Sequence, residues 1–172
     1  LYGGAYDVVS IPGEFGGDPD VLMIRGSALW VTRDEGLTWE HPTGLANVTS
    51  IRGIARFSDA QHTLLVLTQT SVFGNAPALF VSTDYGRTFT KRYQHGSTGN
   101  ATFWVPRRGA GAVSTIYMFV KGQCFSSSDG GLNSTPLAQA DTNISDCILT
   151  GSEAGSPTPY VALDQAGTWK LW

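Results

Sequence analysis

The chain repeats one eight-residue pattern, Thr32-Arg33-Asp34-Glu35-Gly36-Leu37-Thr38-Trp39 and then Ser82-Thr83-Asp84-Tyr85-Gly86-Arg87-Thr88-Phe89. A shorter third copy is Ser127-Ser128-Asp129-Gly130-Gly131-Leu132. All three share a hydroxyl residue, an Asp two places on and a Gly two places after that. The pattern predicts a tight turn, because an Asp carboxylate accepts hydrogen bonds from nearby backbone N–H groups and Gly adopts a positive φ. The aromatic residue that ends the two complete copies is expected to re-enter the core.

Each copy follows a predicted β-hairpin, and the hairpins recur at a regular distance. The aromatic residues of their second strands are spaced by 50, 45 and 47 residues, at Trp30, Phe80, Phe125 and Trp172. A further candidate strand precedes each hairpin, at residues 6–11, 48–57, 102–105 and 144–150. The sequence therefore predicts units of four antiparallel strands, with the turn between strands three and four. Their approximate bounds are 1–45, 46–98, 99–140 and 141–172.

The repeated pattern resembles the Asp-box, or bacterial neuraminidase repeat, which in its families joins the two outer strands of a β-propeller blade. We call residues 32–39, 82–89 and 127–132 the first, second and third box. The resemblance implies an all-β chain in which residues 1–172 form one β-propeller domain of about four blades. It also implies structural roles for the box residues Asp34, Gly36, Trp39, Asp84, Gly86, Phe89, Asp129 and Gly131.

Residues 46–135 are locally most similar to the propellers of sortilin-type sorting receptors. The likeness rests on the second box with the two strands before it, residues 64–89, and on residues 47–53. It implies peptide or protein binding in the secretory pathway or outside the cell, without catalysis. Receptors of this type have more blades and a Cys-rich domain after them, and neither fits within 172 residues.

Composition supports a chain of strands and turns, since 21 Gly and 8 Pro accompany only 15% charged residues. The net charge of −3 argues against a nucleic-acid partner, because such proteins usually present a clustered basic surface. No apolar run approaches the roughly 18 residues of a spanning helix, so membrane insertion is not expected. We find no phosphate-binding loop and no calcium or zinc spacing, and we expect no cofactor and no metal. A start at Leu1 without a leader suggests a processed or trimmed chain.

Four N-glycosylation sequons indicate the secretory pathway, at Asn47, Asn100, Asn133 and Asn143. Three of them follow a box at corresponding distances, so Asn47, Asn100 and Asn143 are expected to carry N-linked glycans on one side of the propeller. In an oxidising compartment Cys124 and Cys147 are most simply a disulfide. Two buried free thiols are the alternative.

A sialidase-like glycosidase is the catalytic alternative. Such a site needs three arginines, a Tyr nucleophile activated by a Glu, and an Asp acid that converge at the propeller axis. The candidates are Asp7, Arg25, Glu40, Arg52, Arg107, Arg108, Tyr117 and Glu153. However, the chain lacks the Phe-Arg-Ile-Pro segment typical of these enzymes, and in the family the boxes lie away from the axis. We therefore expect no catalytic residues.

The sequence thus predicts a secreted, non-catalytic glycoprotein that acts as a structural or protein-interaction module. The fourth hairpin ends at Trp172, before any box, and leaves a strand edge that invites pairing. Residues 1–11 are the expected partner strand. Pairing within the chain closes the propeller. Pairing with the next chain gives a head-to-tail filament or surface coat.

Overall fold

The structure, a computed structural model, describes residues 5–11, 20–46, 48–56, 63–70, 76–94, 96, 101–104, 115–120, 123–139, 147–150, 160–165 and 168–171. Across these residues the regular elements are β-strands joined by turns, so the prediction of an all-β chain is confirmed. None of the described residues belongs to a helix able to cross a membrane.

Fourteen strands, numbered in chain order, lie in this part of the chain. They are β1 (Ala5–Ile11), β2 (Asp20–Arg25), β3 (Ala28–Thr32), β4 (Val48–Arg56), β5 (Leu64–Thr70), β6 (Ala76–Ser82), β7 (Thr90–Gln94), β8 (Ala101–Trp104), β9 (Ile116–Val120), β10 (Gln123–Ser127), β11 (Thr135–Gln139), β12 (Cys147–Thr150), β13 (Tyr160–Gln165) and β14 (Thr168–Leu171).

These strands form four antiparallel sheets, and in each sheet the strands pair in chain order. The first sheet is β1-β2-β3, the second β4-β5-β6-β7, the third β8-β9-β10-β11 and the fourth β12-β13-β14. Residues 5–11 therefore pair with β2 and not with the fourth hairpin of the same chain, so that expected pairing is wrong for the described residues. Antiparallel neighbours need only short connections. The second and third sheets contain the four strands that the repeat predicts, with the box between the third and the fourth.

The first sheet departs from the predicted four strands. After the first box only Glu40 pairs with β3, through a single bridge to Val31. Two residues prevent further pairing. The His41 Nδ1 forms a hydrogen bond with the Leu29 carbonyl oxygen at 2.8 Å, and Pro42 has no N–H to donate. The predicted fourth strand is replaced by a segment that continues to the second sheet.

Two apolar layers hold the first three sheets together. The layer between the first and second sheets consists of Ile11, Leu22, Ile24, Leu29, Val31, Ile51, Ile54, Leu64, Val66, Ala78, Phe80 and Phe89. The layer between the second and third sheets consists of Leu65, Leu79, Val81, Ile116 and Met118.

The second sheet is buried on both faces. Leu64 and Val66 of β5 contact the first sheet, whereas Leu65 between them contacts the third, because successive strand residues point to opposite faces. Burial of one such side chain contributes roughly 1.5–3 kcal/mol. Face-to-face stacking of the sheets is therefore a main source of stability in this part of the chain.

Candidate interaction surface

Side-chain hydrogen bonds close the first box. The Thr32 hydroxyl donates to Asp34 Oδ1 at 2.8 Å and accepts the N–H of Gly36 at 2.8 Å. Asp34 also accepts the backbone N–H of Thr38 at 2.8 Å, and its Oδ2 accepts the Thr38 hydroxyl. Each residue type of the repeated pattern is therefore used inside the turn.

The second box repeats this network with the same donors and acceptors. The Ser82 hydroxyl donates to Asp84 Oδ1 at 2.7 Å and accepts the N–H of Gly86 at 3.0 Å. Asp84 accepts the backbone N–H of Thr88 at 2.9 Å and also its hydroxyl. The two turns are therefore built in the same way, although only three of their eight residues are identical.

The third box completes its network with a residue outside the pattern that we recognised. Asn133 stands where the other boxes have Thr, and it donates its backbone N–H at 3.0 Å and its Nδ2 at 2.7 Å to Asp129. Ser127 again bonds both Asp129 and the N–H of Gly131. The sequence could have indicated this network, because Asn133 stands four places after Asp129 and an amide can replace a hydroxyl as donor.

Hydrogen bonds lower the pKa of all three box carboxyls. The side chain and backbone of Thr38 hold the pKa of Asp34 below its ordinary value. At Asp84 partial burial raises the pKa, but the hydrogen bonds within the second box together lower it more. Asn133 lowers the pKa of Asp129 to about 2. All three groups are therefore ionised acceptors at neutral pH and poor proton donors.

Residues 43–45, which we call the linker, come from the first repeat and cover the second box. The Thr43 N–H donates to the Arg87 carbonyl at 3.0 Å, and the Phe89 N–H donates to the Thr43 carbonyl at 2.9 Å. Gly44 has a φ of 86°, and a Cβ there would lie 1.9 Å from the Phe89 carbonyl oxygen. Only Gly fits such a close approach. The linker helps to enclose Phe89, which is 3% exposed.

The first box has no such cover among the described residues, and its aromatic residue stays outside the core. Trp39 is 37% exposed, and its Nε1 donates to the Gly36 carbonyl at 3.1 Å, so the ring lies over its own turn. The prediction that the box aromatic re-enters the core is confirmed for Phe89 and wrong for Trp39. The physical reason is the missing cover, since the two turns themselves are alike.

Arg33 connects the first box to the second. Its Nη1 forms an ion pair with the buried Asp20 and also donates to the Tyr85 carbonyl at 3.1 Å. Its Nε donates to Glu40 at 3.1 Å. Sequence reasoning missed this residue, because the second position of the box differs in every copy and carries no repeated signal.

One face of the first sheet corresponds to a covered face of the second sheet. In the first sheet, Val8, Met23 and Trp30 lie opposite one another on neighbouring strands. The residues at the same distance from the box in the second sheet are Ile54, Val66 and Phe80. The three second-sheet residues are buried against the first sheet. By contrast, Val8 is 55% exposed, and Met23 and Trp30 are only partly buried. We call the surface formed by Val8, Val21, Met23, Ala28, Trp30 and Trp39 the open face.

The box glycines show the same difference independently. A Cβ on Gly86 would lie 2.7 Å from Leu22 of the first sheet, and a Cβ on Gly131 would lie 2.5 Å from Leu79 of the second. In both boxes the Gly therefore packs against the preceding sheet. A Cβ on Gly36 would meet only the indole of its own box, at 3.8 Å. Among the described residues, no side chain of another sheet packs against Gly36.

Two carboxylates weighed for a sialidase-like site have structural contacts. Asp7 accepts the backbone N–H of Val8 at 2.9 Å and that of Ile54 in the second sheet at 3.1 Å. Glu40 is the acceptor for Arg33. Among the described residues, no group of three His, Cys, Asp or Glu side chains could hold a metal ion.

The remaining predicted residues are spread over the chain. Arg25 and Arg52 are exposed and Tyr117 is buried. Outside the described residues lie Asn47, Asn100, Asn143, Arg107, Arg108, Glu153 and Trp172. The same holds for the side chains of Cys124 and Cys147, so the disulfide stays a prediction. Asn133 is exposed in the third box turn.

No protein-family model and no curated protein sequence matches the chain. Among solved structures, the chain is similar to YCF48 from Cyanidioschyzon merolae, with 14% identity and a TM-score of 0.52 over 98% of this chain and 56% of that one. It is also similar to a protein of unknown function from Dyadobacter fermentans, with 15% identity and a TM-score of 0.48 over 81% and 44%. The chain thus spans about half the length of these structures. The likeness to YCF48 concerns the fold alone, and the chain has a β-propeller-like fold of antiparallel sheets.

Proposed function

We propose that the protein is a secreted, N-glycosylated and non-catalytic interaction module, built as an Asp-box β-propeller of about four blades. The observation that carries the proposal is the open face of the first sheet, with Val8 and Trp39 exposed. Exposed apolar side chains that share one sheet face favour a protein-interaction site. Tryptophan is also enriched where one protein contacts another.

The three box networks support the Asp-box assignment and a scaffold role for the boxes. In each box the carboxylate is an acceptor for the turn itself, and its pKa is lowered. A general acid instead needs a pKa near the working pH and a proton to donate. We therefore assign the function to the sheet face and not to the repeated turns.

Two other functions stay predictions of the sequence. A sialidase-like site is disfavoured because Asp7 and Glu40 are engaged by backbone amides and by Arg33. A sortilin-type receptor propeller would also bind proteins, so the open face would serve that function equally well.

The secretory compartment is proposed from the four sequons and the two cysteines. Expression in a eukaryotic secretory host tests it. We expect the chain in the medium, with a mobility that increases when a glycosidase removes N-linked glycans. A chain that stays inside the cells without glycans would contradict this part of the proposal.

A photo-crosslinking amino acid at position 8 tests the interaction surface, with position 132 as the matched control. Val8 and Leu132 are 55% and 56% exposed, but Leu132 lies in the third box, away from the open face. We expect protein adducts of the secreted chain from position 8 and few from position 132. Equal labelling at the two positions, or no protein adduct at position 8, would contradict the proposed function.

A further inference from the structure

One of the four sequons overlaps the network of the third box. Asn133 satisfies the sequon rule together with Ser134 and Thr135, and its side-chain amide also donates to Asp129. Resting on the proposed secretory compartment, we infer that these two uses of the amide exclude one another. The folded protein then keeps Asn133 without a glycan, as a donor to the third box.

The atom that would carry the sugar is the atom that faces Asp129. Asn133 Nδ2 donates to Asp129 Oδ2 at 2.7 Å, and the backbone N–H of Asn133 donates to the two carboxylate oxygens at 3.0 and 3.1 Å. An ionised carboxylate only accepts hydrogen bonds, so the amide must present its nitrogen to it and not its oxygen. The nitrogen of a sequon Asn is the point of glycan attachment.

The first and second boxes use a side-chain donor at the same place. Thr38 and Thr88 stand four residues after Asp34 and Asp84, and each donates its backbone N–H and its hydroxyl to that carboxylate. Asn133 is the equivalent residue of the third box. Its amide therefore has a structural role that the sequon does not explain.

The other end of the sequon belongs to the third sheet. Thr135, whose hydroxyl completes the sequon, is the first residue of β11 and lies opposite Ser126 of β10. The transferase that attaches N-linked glycans reads the amide and this hydroxyl together, so it needs residues 133–135 as an accessible segment. In the fold, one end of this segment is bonded to Asp129 and the other end is paired in a strand.

The chemistry of transfer requires that the amide leave Asp129. Asn133 Nδ2 forms a bond to the anomeric carbon of a lipid-linked oligosaccharide diphosphate, while the bond from that carbon to the diphosphate oxygen breaks. The lipid diphosphate leaves with the electron pair, and Nδ2 gives one of its two protons to a base of the transferase. An amide nitrogen is a weak nucleophile that the transferase has to activate, so its hydrogens cannot stay bonded to Asp129 during the reaction.

The other three sequons do not overlap a box network. Asn47, Asn100 and Asn143 have no Asp four residues before them, so no box carboxylate competes for their amides. We therefore expect glycans at these three positions and none at Asn133. The surface beside the third box, which includes the 56% exposed Leu132, is then left without sugar.

The glycosylated fraction at each Asn, in the full chain from a eukaryotic secretory host, tests the inference. Mass spectrometry of glycosidase-treated peptides measures it on the protein of cells and medium together, so that a retained variant is also counted. In the wild type we expect the fraction at Asn133 to be about 10-fold or more below that at Asn47, because a hydrogen bond to a charged group must open before transfer.

Two matched variants show whether the third box causes this difference. Asp129→Ala removes the carboxylate that competes for the amide and should raise the glycosylated fraction at Asn133 several-fold. Asp34→Ala makes the same change in the first box, which contains no sequon, and should leave the fraction at Asn133 unchanged.

A second comparison separates the box donor from the glycan. Asn133→Thr and Asn133→Ala both destroy the sequon, but only Thr restores the donor that the other two boxes use. In protein made without N-glycosylation, we expect Asn133→Thr to melt near the wild type and Asn133→Ala to melt at a lower temperature. Thr135→Val destroys the sequon and keeps Asn133, so the secreted variant should have the electrophoretic mobility of the wild type.

The inference is overturned by full glycosylation of Asn133 in the wild type, by a fraction that Asp129→Ala does not raise, or by equal melting of Asn133→Thr and Asn133→Ala. Each of these results leaves the secretory compartment in place. A wild-type chain without sugar at any sequon instead contradicts the proposed compartment. The melting comparison, made on protein without glycans, still decides whether Asn133 is the donor of the third box.

Discussion

The first and second boxes have the same turn in different surroundings. The bond from the hydroxyl to the Asp measures 2.8 Å in one box and 2.7 Å in the other, and Glu35 and Tyr85 share a φ of 58°. Phe89 is nevertheless buried, and Trp39 is exposed. The turn therefore forms without a cover, whereas the burial of its aromatic residue depends on the repeat before it.

The largest difference between the two boxes is expected at their aromatic residues. Phe89→Ala should lower the free energy of unfolding by about 3–5 kcal/mol, as for other buried Phe residues. Trp39→Ala should cost less than about 1 kcal/mol in the monomer, because its side chain is outside the core. Urea unfolding at concentrations where the chain is monomeric measures both. Similar losses in the two variants would show that Trp39 is covered in solution.

The box glycines are expected to show the next largest difference. Gly36→Ala and Gly86→Ala both place a side chain at positive φ, at a cost of about 1–2 kcal/mol. At Gly86 the new Cβ also meets Leu22, and overpacking adds roughly 1–3 kcal/mol. Thermal melting of the two monomeric variants measures the contrast. Equal shifts would contradict the packing of the second box on the first sheet.

The box aspartates should behave alike in both boxes. Asp84→Ala removes the acceptor for the backbone and hydroxyl of Thr88 and is expected to cost about 1–3 kcal/mol. Asp34→Ala should destabilise in the same direction. Binding should weaken only as far as folding does. A variant with an unchanged melting temperature and no binding would show that the box is a site and not a scaffold.

The smallest effect is expected from acid, at the third box. The pKa of Asp129 is about 2 in the fold, below the value of about 3.9 for an unfolded chain. The fold therefore favours the ionised form. Its contribution to stability is complete above about pH 4 and is lost as the pH falls through about 2.

A carboxyl NMR titration checks this value, and Asn133→Ala is expected to raise the pKa of Asp129 by removing one side-chain donor. A wild-type pKa near that of a free Asp would contradict the third network. The shared hydrogen-bond network would then be limited to the first and second boxes, which carry Thr at this position.

Much of the fold could be predicted because the signals are local. The pattern in residues 48–57 matches β4 (Val48–Arg56), and the strand predicted at 6–11 matches β1 (Ala5–Ile11). The fourth strand of the first unit could not be predicted, because its loss depends on where the His41 ring binds. Arg33 was missed for a similar reason, since its partners Asp20 and Tyr85 come from other parts of the fold.

The sequence by itself determined the box turns and the antiparallel hairpins, because their hydrogen bonds join residues within a few places of one another. Only the tertiary structure decided which face of each sheet is covered. That cover comes from another repeat: the linker lies on Phe89, and Leu22 lies on Gly86. The alternation of side chains along a strand shows which residues share a face, but it does not show whether another sheet covers that face. The open face is therefore recognised only once the sheets are stacked.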